Sequence, residues 1–377
     1  MRFLHTADWH LGRPFHGESL LDAQAAAIEH VAAVAREYAV DAVLVSGDLY
    51  DRALPPVDAV RLADEALARL SEICPVVVIS GNHDSATRLG FGAGLLSRAG
   101  VHVRTDPAAI ARPVQLGGVC VYAIPYLEPD LTRAALGCEE RGHGAVLGAA
   151  MAAVRADLAT RPAGTRAIVM AHAFVTGAVA CGSERELAVG GAASVPGSVF
   201  AGVDYAALGH LHGPQRMGDA ARYAGSPVAF SFSEAHHRKS VAVVDLAGGA
   251  PRVELVPFPV WRPLALLRGT LDELLADPAH APHERSWVHA TVTDPVRPRD
   301  AMEQLRRRFP HAVVLTFDPQ GAGARPAGSY EERLRGLDDA ELLANFVRDV
   351  RGSEASEEEL ALLGEALVAG RVAEVSA

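Results

Sequence analysis

Nine polar side chains stand where apolar runs end. Asp8 and His10 close RFLHTADWH, and Asp48 closes AVLVSGD with Asp51 three residues on. Asn82 and His83 follow VVVIS in VVVISGNHD, His172 ends RAIVMAH, and His210 and His212 end YAALGHLH. These are oxygen and imidazole donors with no thiolate. That excludes a structural zinc of the cysteine type and suits Mn, Fe or Zn in a catalytic site. Two divalent ions about 3.5–4 Å apart need a bridging carboxylate and several terminal donors, and such a pair activates water for in-line attack on phosphorus. A nearby imidazole, titrating near neutrality, is fit to protonate the departing oxygen. A single D-x-H or G-H-x-H says little; five donor-bearing run ends in one chain specify much more.

Such groups converge only if the runs are strands of one layered scaffold. The first 210 residues alternate short β-rich runs with helical stretches, SLLDAQAAAIEHVAAVAREY and VDAVRLADEALARLSEI among them. Strands alternating with helices predict an α/β layered sheet, whose ligands bind outside the strands' C-terminal ends. The period of two along a strand predicts that Asp8/His10 and His210/His212 each aim a pair at one place. RYAGSPVAF and KSVAVVDL predict β-rich closure to about residue 258, and the Pro-containing VPFPVWRP marks a boundary. Residues 262–320 follow as a small α+β pattern without a catalytic cluster, then a Gly/Pro linker, QGAGARPAGS. In the tail, Leu342, Leu343, Phe346, Val347 and Val350 share one helical face. A capping box from Ser356 to Glu359 opens a second helix carrying Leu360, Leu363 and Leu367.

The bulk numbers restrict the partners. The 377 residues carry a net charge of −11. Residues 330–377 hold twelve acids against five arginines, so about −4 is left for the body. A protein that binds nucleic acid unaided usually shows a basic footprint. A polyanionic substrate would therefore need bound cations, local Arg clusters or a partner chain. The four cysteines (Cys74, Cys120, Cys138, Cys181) are widely spaced without C-x-x-C, as expected of thiols in a reducing cytoplasm. The opening MRFLHTADWH has no long apolar segment and no run of about 18 apolar residues occurs, so neither a secretory leader nor a membrane span is predicted.

The order D-x-H, G-D-x-x-D, G-N-H-D, H, G-H-x-H resembles that of the calcineurin-like metallophosphoesterases. Within them TADWHLGRPFHG, SGDLYDRALPP, GNHDSATRLGFG and YAGSPVAFSFSEA resemble the SbcD family of bacterial nuclease subunits. The resemblance is specific over residues 1–258, weaker over 262–320, and only a pattern over 330–377. It implies a layered metallophosphoesterase β-sandwich flanked by helices (1–258), a small α+β capping domain (262–320) and a helical tail (330–377) that docks an ATPase. It implies two divalent ions, with Mn²⁺ the metal it suggests. Asp8, His10, Asp48 and His212 would hold one; Asp48, Asn82, His172 and His210 would hold the other. His83 would be the catalytic histidine. The implied activity is 3′-to-5′ exonuclease action on duplex DNA and endonuclease action on hairpins and single strands. The implied partners are DNA, an SbcC-type coiled-coil ATPase and a second copy of the chain within a heterotetramer. The helices near 56–72 and 88–99 would form the homodimer contact.

Relatives from archaea and eukaryotes carry histidine where this chain has Asp51. In the phosphoprotein phosphatases, whose motif also runs G-D-x-x-D-R, that Asp pairs with the catalytic histidine. The Asp51 carboxylate is therefore expected to hydrogen-bond His83 and fix its tautomer. His5 is expected to be packed, His16 to be either a loop residue or a substrate contact, and His236 and His237 to be solvated. Arg306–Arg308 are expected to form a solvated helix face. Two other readings share the motifs: a small-molecule phosphodiesterase or phosphatase, and an inactive platform for an ATPase.

Overall fold

The structure, a computed structural model, describes residues 1–184, 194–319, 337–351 and 354–375. The linker QGAGARPAGS lies outside them. The described chain divides into two compact units, Met1–Pro263 and Leu264–Ala377.

The first unit runs β1 (Arg2–Thr6), α1 (Leu21–Glu37), β2 (Ala42–Ser46), α2 (Val57–Ser71), β3 (Val76–Ile79), β4 (Val101–Arg104), β5 (Val114–Leu116), β6 (Val119–Ala123), α3 (His143–Ala159), β7 (Arg166–His172), β8 (Tyr205–Gly209), β9 (Gln215–Met217), β10 (Ala221–Tyr223), β11 (Ser240–Asp245) and β12 (Arg252–Pro257). One six-stranded sheet has the order β12-β11-β1-β2-β3-β4 and the other β9-β10-β8-β7-β6-β5. β1, β2, β3 and β4 pair in parallel, as do β6, β7 and β8. Their C-terminal ends therefore share one edge.

Side-chain alternation builds the layers. On β2, Val43 and Val45 pack against Ala27, Ile28 and Val31 of α1 and Ala63 and Leu70 of α2. Ala42 and Leu44 face the other sheet's Val121, Ile168, Met170 and Ala207. The second sheet turns Tyr122, Val169, Ala171 and Leu208 outward onto Val146, Ala150, Met151 and Val154 of α3. The inner parallel strands β2, β3, β6, β7 and β8 are thus covered on both faces, which is why they read as nearly unbroken apolar runs, whereas the edge strand β4 (VHVR) alternates. Helix α3 leaves little mark in the sequence. Its GAVLGAAMAAV is apolar nearly all round, so no polar stripe separates the packed face from the open one.

His5 is the polar exception between the sheets. It is fully buried, with Nδ1 3.0 Å from the Tyr205 hydroxyl and Nε2 3.2 Å from the Leu208 carbonyl.

The second unit starts with three parallel strands, β13 (Leu264–Gly269), β14 (Trp287–Val292) and β15 (Ala312–Phe317), with a bulge between Val288 and His289 where β14 meets β15. Helices α4 (Leu271–Ala276) and α5 (Ala301–Arg308) bury Leu271, Leu274 and Leu305 against Leu267, Val288 and Ala290. Thr270 and Glu273 form a reciprocal capping box that starts α4. The expectation of a solvated Arg306–Arg308 face is corrected in part. Arg306 donates to the Ala312 carbonyl at 3.1 Å and Arg308 to the Leu274 carbonyl at 3.1 Å and Glu284 at 3.2 Å, so two of the three tie α5 to its neighbours. Only Arg307 fits the expected pattern, paired with Glu303 on the exposed side. The tail helices α6 (Asp339–Arg351) and α7 (Glu357–Val375) follow. The expected Ser356–Glu359 capping box is present, with bonds of 2.8 and 3.2 Å. Arg351 reaches back to Glu359 at 2.6 Å. No helix among the described residues is long and apolar enough to cross a membrane.

Burial lowers the His5 pKa to about 3, only partly offset by the Leu208 carbonyl. Below about pH 6.5 the unfolded chain takes a proton that native His5 refuses, so His5's contribution is whole above that pH and lost as pH falls. A His5→Leu protein should be less stable at pH 7, because the buried Tyr205 hydroxyl loses its partner. Its deficit against wild type should shrink by about 2 kcal/mol between pH 7 and pH 5. Urea unfolding at both pH values measures this; a constant deficit would mean that native His5 takes up the proton.

Candidate metal centre

The strand ends meet because their glycines let the backbones touch. A Cβ on Gly209 would lie 1.8 Å from the Ser46 carbonyl oxygen, and one on Gly81 2.1 Å from Asp48 Oδ1. No side chain fits at either place, so the G of S-G-N-H-D and of G-H-L-H is a condition for the site. The loop after β1 is then zipped to the loop after β2. Asp8 N, His10 N and Leu11 N donate to the carbonyls of Gly47, Asp48 and Leu49 at 3.1, 2.9 and 2.9 Å.

Convergence is not produced by strand alternation, and that expectation is corrected. β1 ends at Thr6 and β8 at Gly209, before the donors begin. Asp8, His10, Asp48 and His210 instead take left-handed backbone angles (φ 53°, 43°, 48° and 104°). For non-glycine residues this costs on the order of 1–3 kcal/mol each, and such strain persists where the surroundings over-determine it, typically at functional sites. Strand pleating could aim the pairs only while the strand lasts; beyond it the left-handed turns do so.

Seven donors come together. His10 Nε2 lies 3.0 Å from His212 Nε2 and 3.5 Å from Asp48 Oδ2. His172 Nε2 lies 3.4 Å from Asp48 Oδ2 and 2.9 Å from Asn82 Oδ1, and His210 Nδ1 lies 3.2 Å from that same Asn82 oxygen. Asp8 accepts the His210 backbone N–H at 2.9 Å and lies 4.0 Å from His172 Nδ1. Asp8, His10 and His212 can offer ligand atoms to a single point, as can Asp8, Asp48 and His172. Asp8, His10, Asp48, His172, His210 and His212 are all buried.

The electrostatics suit a cation. Burial drives the His10 and His212 pKa values down, so two neutral imidazoles face each other nitrogen to nitrogen. Burial, aided by the charge of His172, also lowers His210, to about 3. Burial works against charge on His172 too, but Asp48 and Asp8 outweigh it and raise that pKa to about 9. Burial likewise lifts the Asp8 pKa well above the usual carboxylate range, whereas for Asp48 it is outweighed by His172 and His10, which hold that group well below it. Two buried carboxylates thus rely on a protonated imidazole between them, a place that a divalent ion would fill. Among the described residues the buried His10 Nδ1 and Asn82 Nδ2 have no hydrogen-bond partner, so neither side chain is locked by a full set of bonds there. The residues fit a divalent-metal site.

His83 lies on the rim. Its backbone N–H donates to Asp48 Oδ1 at 2.9 Å, and its Nδ1 is 2.7 Å from the backbone carbonyl of Asp51. A carbonyl only accepts, so Nδ1 carries the proton and Nε2 is left for substrate. The expected carboxylate contact is therefore corrected. The Asp51 N–H bonds to the Leu11 carbonyl at 3.3 Å, which fixes the turn with the Asp51 carbonyl toward His83. The carboxylate instead lies 3.7 Å from Arg13 Nε, 3.9 Å from Arg52 Nε and 3.9 Å from His10 Nδ1.

A supporting layer escaped the motif reading. Asp84 accepts the N–H groups of Tyr50, Gly81 and Leu49 at 2.9, 2.9 and 3.1 Å, joining two strand exits. Burial and the charge of Asp48 lift its pKa to about 7. Gln24, on α1, donates to the His10 carbonyl at 2.7 Å. His212 is held by Ser183 Oγ at 2.7 Å on Nδ1 and by Glu184 at 2.8 Å on its N–H. Glu234 forms a buried pair with Lys239, which also donates to the His212 carbonyl at 2.9 Å and Ser226 Oγ at 2.8 Å. One signal was available. Lys239 is the single lysine of the chain; the other basic side chains are all arginine. Its ammonium has three N–H donors and finds three acceptors here, a match that a planar guanidinium cannot reproduce. His16 is exposed at a hairpin tip, its ring 5.2 Å from Phe232; His236 is exposed and His237 half-buried.

This chain belongs to the calcineurin-like phosphoesterase family, whose model matches residues 1–214. The site is accordingly that of a metal-dependent hydrolase, in a family that binds divalent ions. Residues 260–351 match a second model, SbcD_C, described as the type 5 capsule protein repressor C-terminal domain. Together the two mark an SbcD-type subunit. A solved structure of TT1561 from Thermus thermophilus is similar at 14% identity and TM-score 0.40, over 67% of this chain and 98% of that one.

Asp48→Ala should abolish binding of both ions, measured as bound Mn²⁺ after desalting; retention of one full equivalent would show that Asp48 is not shared. Lys239→Arg should weaken Mn²⁺ binding by about tenfold or more, as loss of an outer support typically does. Unchanged affinity would mean that the lysine serves only the loop.

Proposed function

We propose that this chain is the nuclease subunit of an ATP-regulated SbcCD-type complex, hydrolysing DNA phosphodiesters at a two-metal centre. Asp8, His10, Asp48 and His212 would hold one ion, and Asp48, Asn82, His172 and His210 the other, with Asp48 shared. Bound there, the ions would lower the pKa of water and neutralise phosphate charge. The chain's own part is positional. Asp48 accepts the His83 backbone N–H, and the Asp51 carbonyl accepts from Nδ1, so Nε2 is left for substrate and, in the imidazolium form, would hand its proton to the departing sugar oxygen. The reading rests chiefly on one observation: seven donors of the right chemistry converge beside an oriented histidine. Mn²⁺ is the proposed metal. The proposed activities are 3′-to-5′ exonuclease action on duplex ends and endonuclease action on hairpins and single strands, in the cytoplasm.

Two apolar surfaces support the proposed assembly. Phe91 is 87% exposed and Leu95 71%, beside Leu54, Val57 and Leu96. Leu54, Phe91 and Leu96 border a cavity of about 650 Å³ that Leu67, Leu89 and Val103 also line. This is the proposed homodimer contact. The tail leaves Phe346 and Val350 exposed on α6 and Leu360, Leu362 and Val368 exposed on α7, apolar surface suited to a partner helix of an SbcC-type ATPase. Residues 262–320 would serve as the capping domain and 330–377 as the docking tail.

The purified chain, alone and with the ATPase, should cleave blunt duplex, hairpin and single-stranded DNA with Mn²⁺ and lose this with EDTA or His83→Leu. Turnover of cyclic nucleotides or monoesters without DNA cleavage would favour a small-molecule enzyme. Equal activity in wild type and His83→Leu would point to a contaminant or an inactive platform. In a separate test, Phe91→Asp with Leu95→Asp should give a monomer by light scattering with metal content unchanged; a persisting dimer would place the contact elsewhere.

A further inference from the structure

Arg13 has one guanidinium nitrogen with no assigned use. Nη2 donates to the Ser183 carbonyl at 2.6 Å, and Nε faces the Asp51 carboxylate at 3.7 Å. The guanidinium carbon lies 4.9 Å from the centre of the Phe230 ring, a cation–π distance. Nη1 is buried and has no hydrogen-bond partner among the described residues. An unmatched donor on a permanently charged group is costly unless something occupies it part of the time.

Its anchors lie beside the metal centre. Ser183 also meets His212 Nδ1 at 2.7 Å, and Asp51 also holds His83 through its carbonyl at 2.7 Å. The Phe230 ring centre is 5.3 Å from those of both His10 and His212. Arg13 is thus tied to the histidines of the first proposed ion site and to the proposed proton donor. The neighbouring lysine cannot play this part, because all three N–H groups of Lys239 are taken. The carboxylate nearest Arg13 is shared loosely with His10 and Arg52, no contact being closer than 3.7 Å. Such a guanidinium is half-satisfied and suited to a tetrahedral anion, which accepts from planar N–H groups.

We propose that Arg13 binds a phosphate oxygen of the substrate through Nη1, with Asp51 as its positioning residue. This deepens the phosphodiesterase reading and rests on it. The side chain is only 19% exposed and anchored at Nη2 and Nε, so its direction is set before substrate arrives.

The test uses the full-length Mn²⁺-loaded chain as wild type, Arg13→Gln and Arg13→Lys. Binding of inorganic phosphate is read by calorimetry, and turnover of bis(p-nitrophenyl) phosphate by KM and kcat. Arg13→Gln should weaken phosphate binding at least tenfold and raise KM more than it lowers kcat, with Mn²⁺ content unchanged. Arg13→Lys should fall between. Wild-type phosphate affinity in Arg13→Gln would overturn the proposal, as would absence of phosphate binding by the wild type. Loss of Mn²⁺ or of the folded state in both variants would also overturn it, showing a strut between the loops. If the wild type cleaves no phosphodiester yet its phosphate binding still depends on Arg13, the anion site stands and the nuclease reading fails.

Discussion

Two buried carboxylates set the terms for the rest of the molecule. Asp8 and Asp48 have almost no exposure and sit within 4.0 Å of the same imidazole, His172. Burying an ionised carboxylate is costly unless it is paired and hydrogen-bonded. Asp8 answers with the His210 N–H, Asp48 with the His83 N–H, and both with the charge of His172. Burial otherwise favours the protonated form of Asp8, so the fully ionised pair calls for a further cation among the surrounding donors.

The scaffold supplies the stability that this arrangement consumes. Four of the seven donors hold left-handed backbone angles, a strain of several kcal/mol in all. It is offset by fully buried strands, each apolar side chain contributing roughly 1.5–3 kcal/mol. The offset works because sheet and site are continuous. The glycines at 81 and 209 bring neighbouring backbones into contact at the edge where the core ends. Small movements of either sheet would therefore change ligand geometry directly.

Around the donors lies a layer that fixes them without touching an ion. Gln24 ties α1 to the His10 loop, Asp84 ties β2 to β3, and Lys239 with Glu234 ties a distant loop to His212. Burial pushes the Glu234 pKa up, but His212 and Lys239 outweigh it and hold the group well below the usual range, so it stays ionised. In a chain that otherwise uses arginine for every basic side chain, the lone lysine marks a place where three acceptors converge on a point. Arginine's flat fork serves the looser task at residue 13.

The sequence by itself determined the layered α/β scaffold and the donor types, because apolar runs ending in Asp, Asn and His leave few other readings. It also determined the tail's capping box, a bond between residues three apart. Tertiary structure decided what depends on distant segments. That the Asp51 carbonyl, and not its carboxylate, holds His83 follows from a backbone bond to Leu11 and from the pull of Arg13 and Arg52. Left-handed turns rather than strand pleating aim Asp8 and His10, a choice fixed by contact with the loop after β2. The partners of Lys239 span residues 212, 226 and 234, and no local pattern encodes such a meeting. Motif spacing records which side chains lie near one another along the chain; only packing of the two sheets decides which atom of each is turned toward the centre.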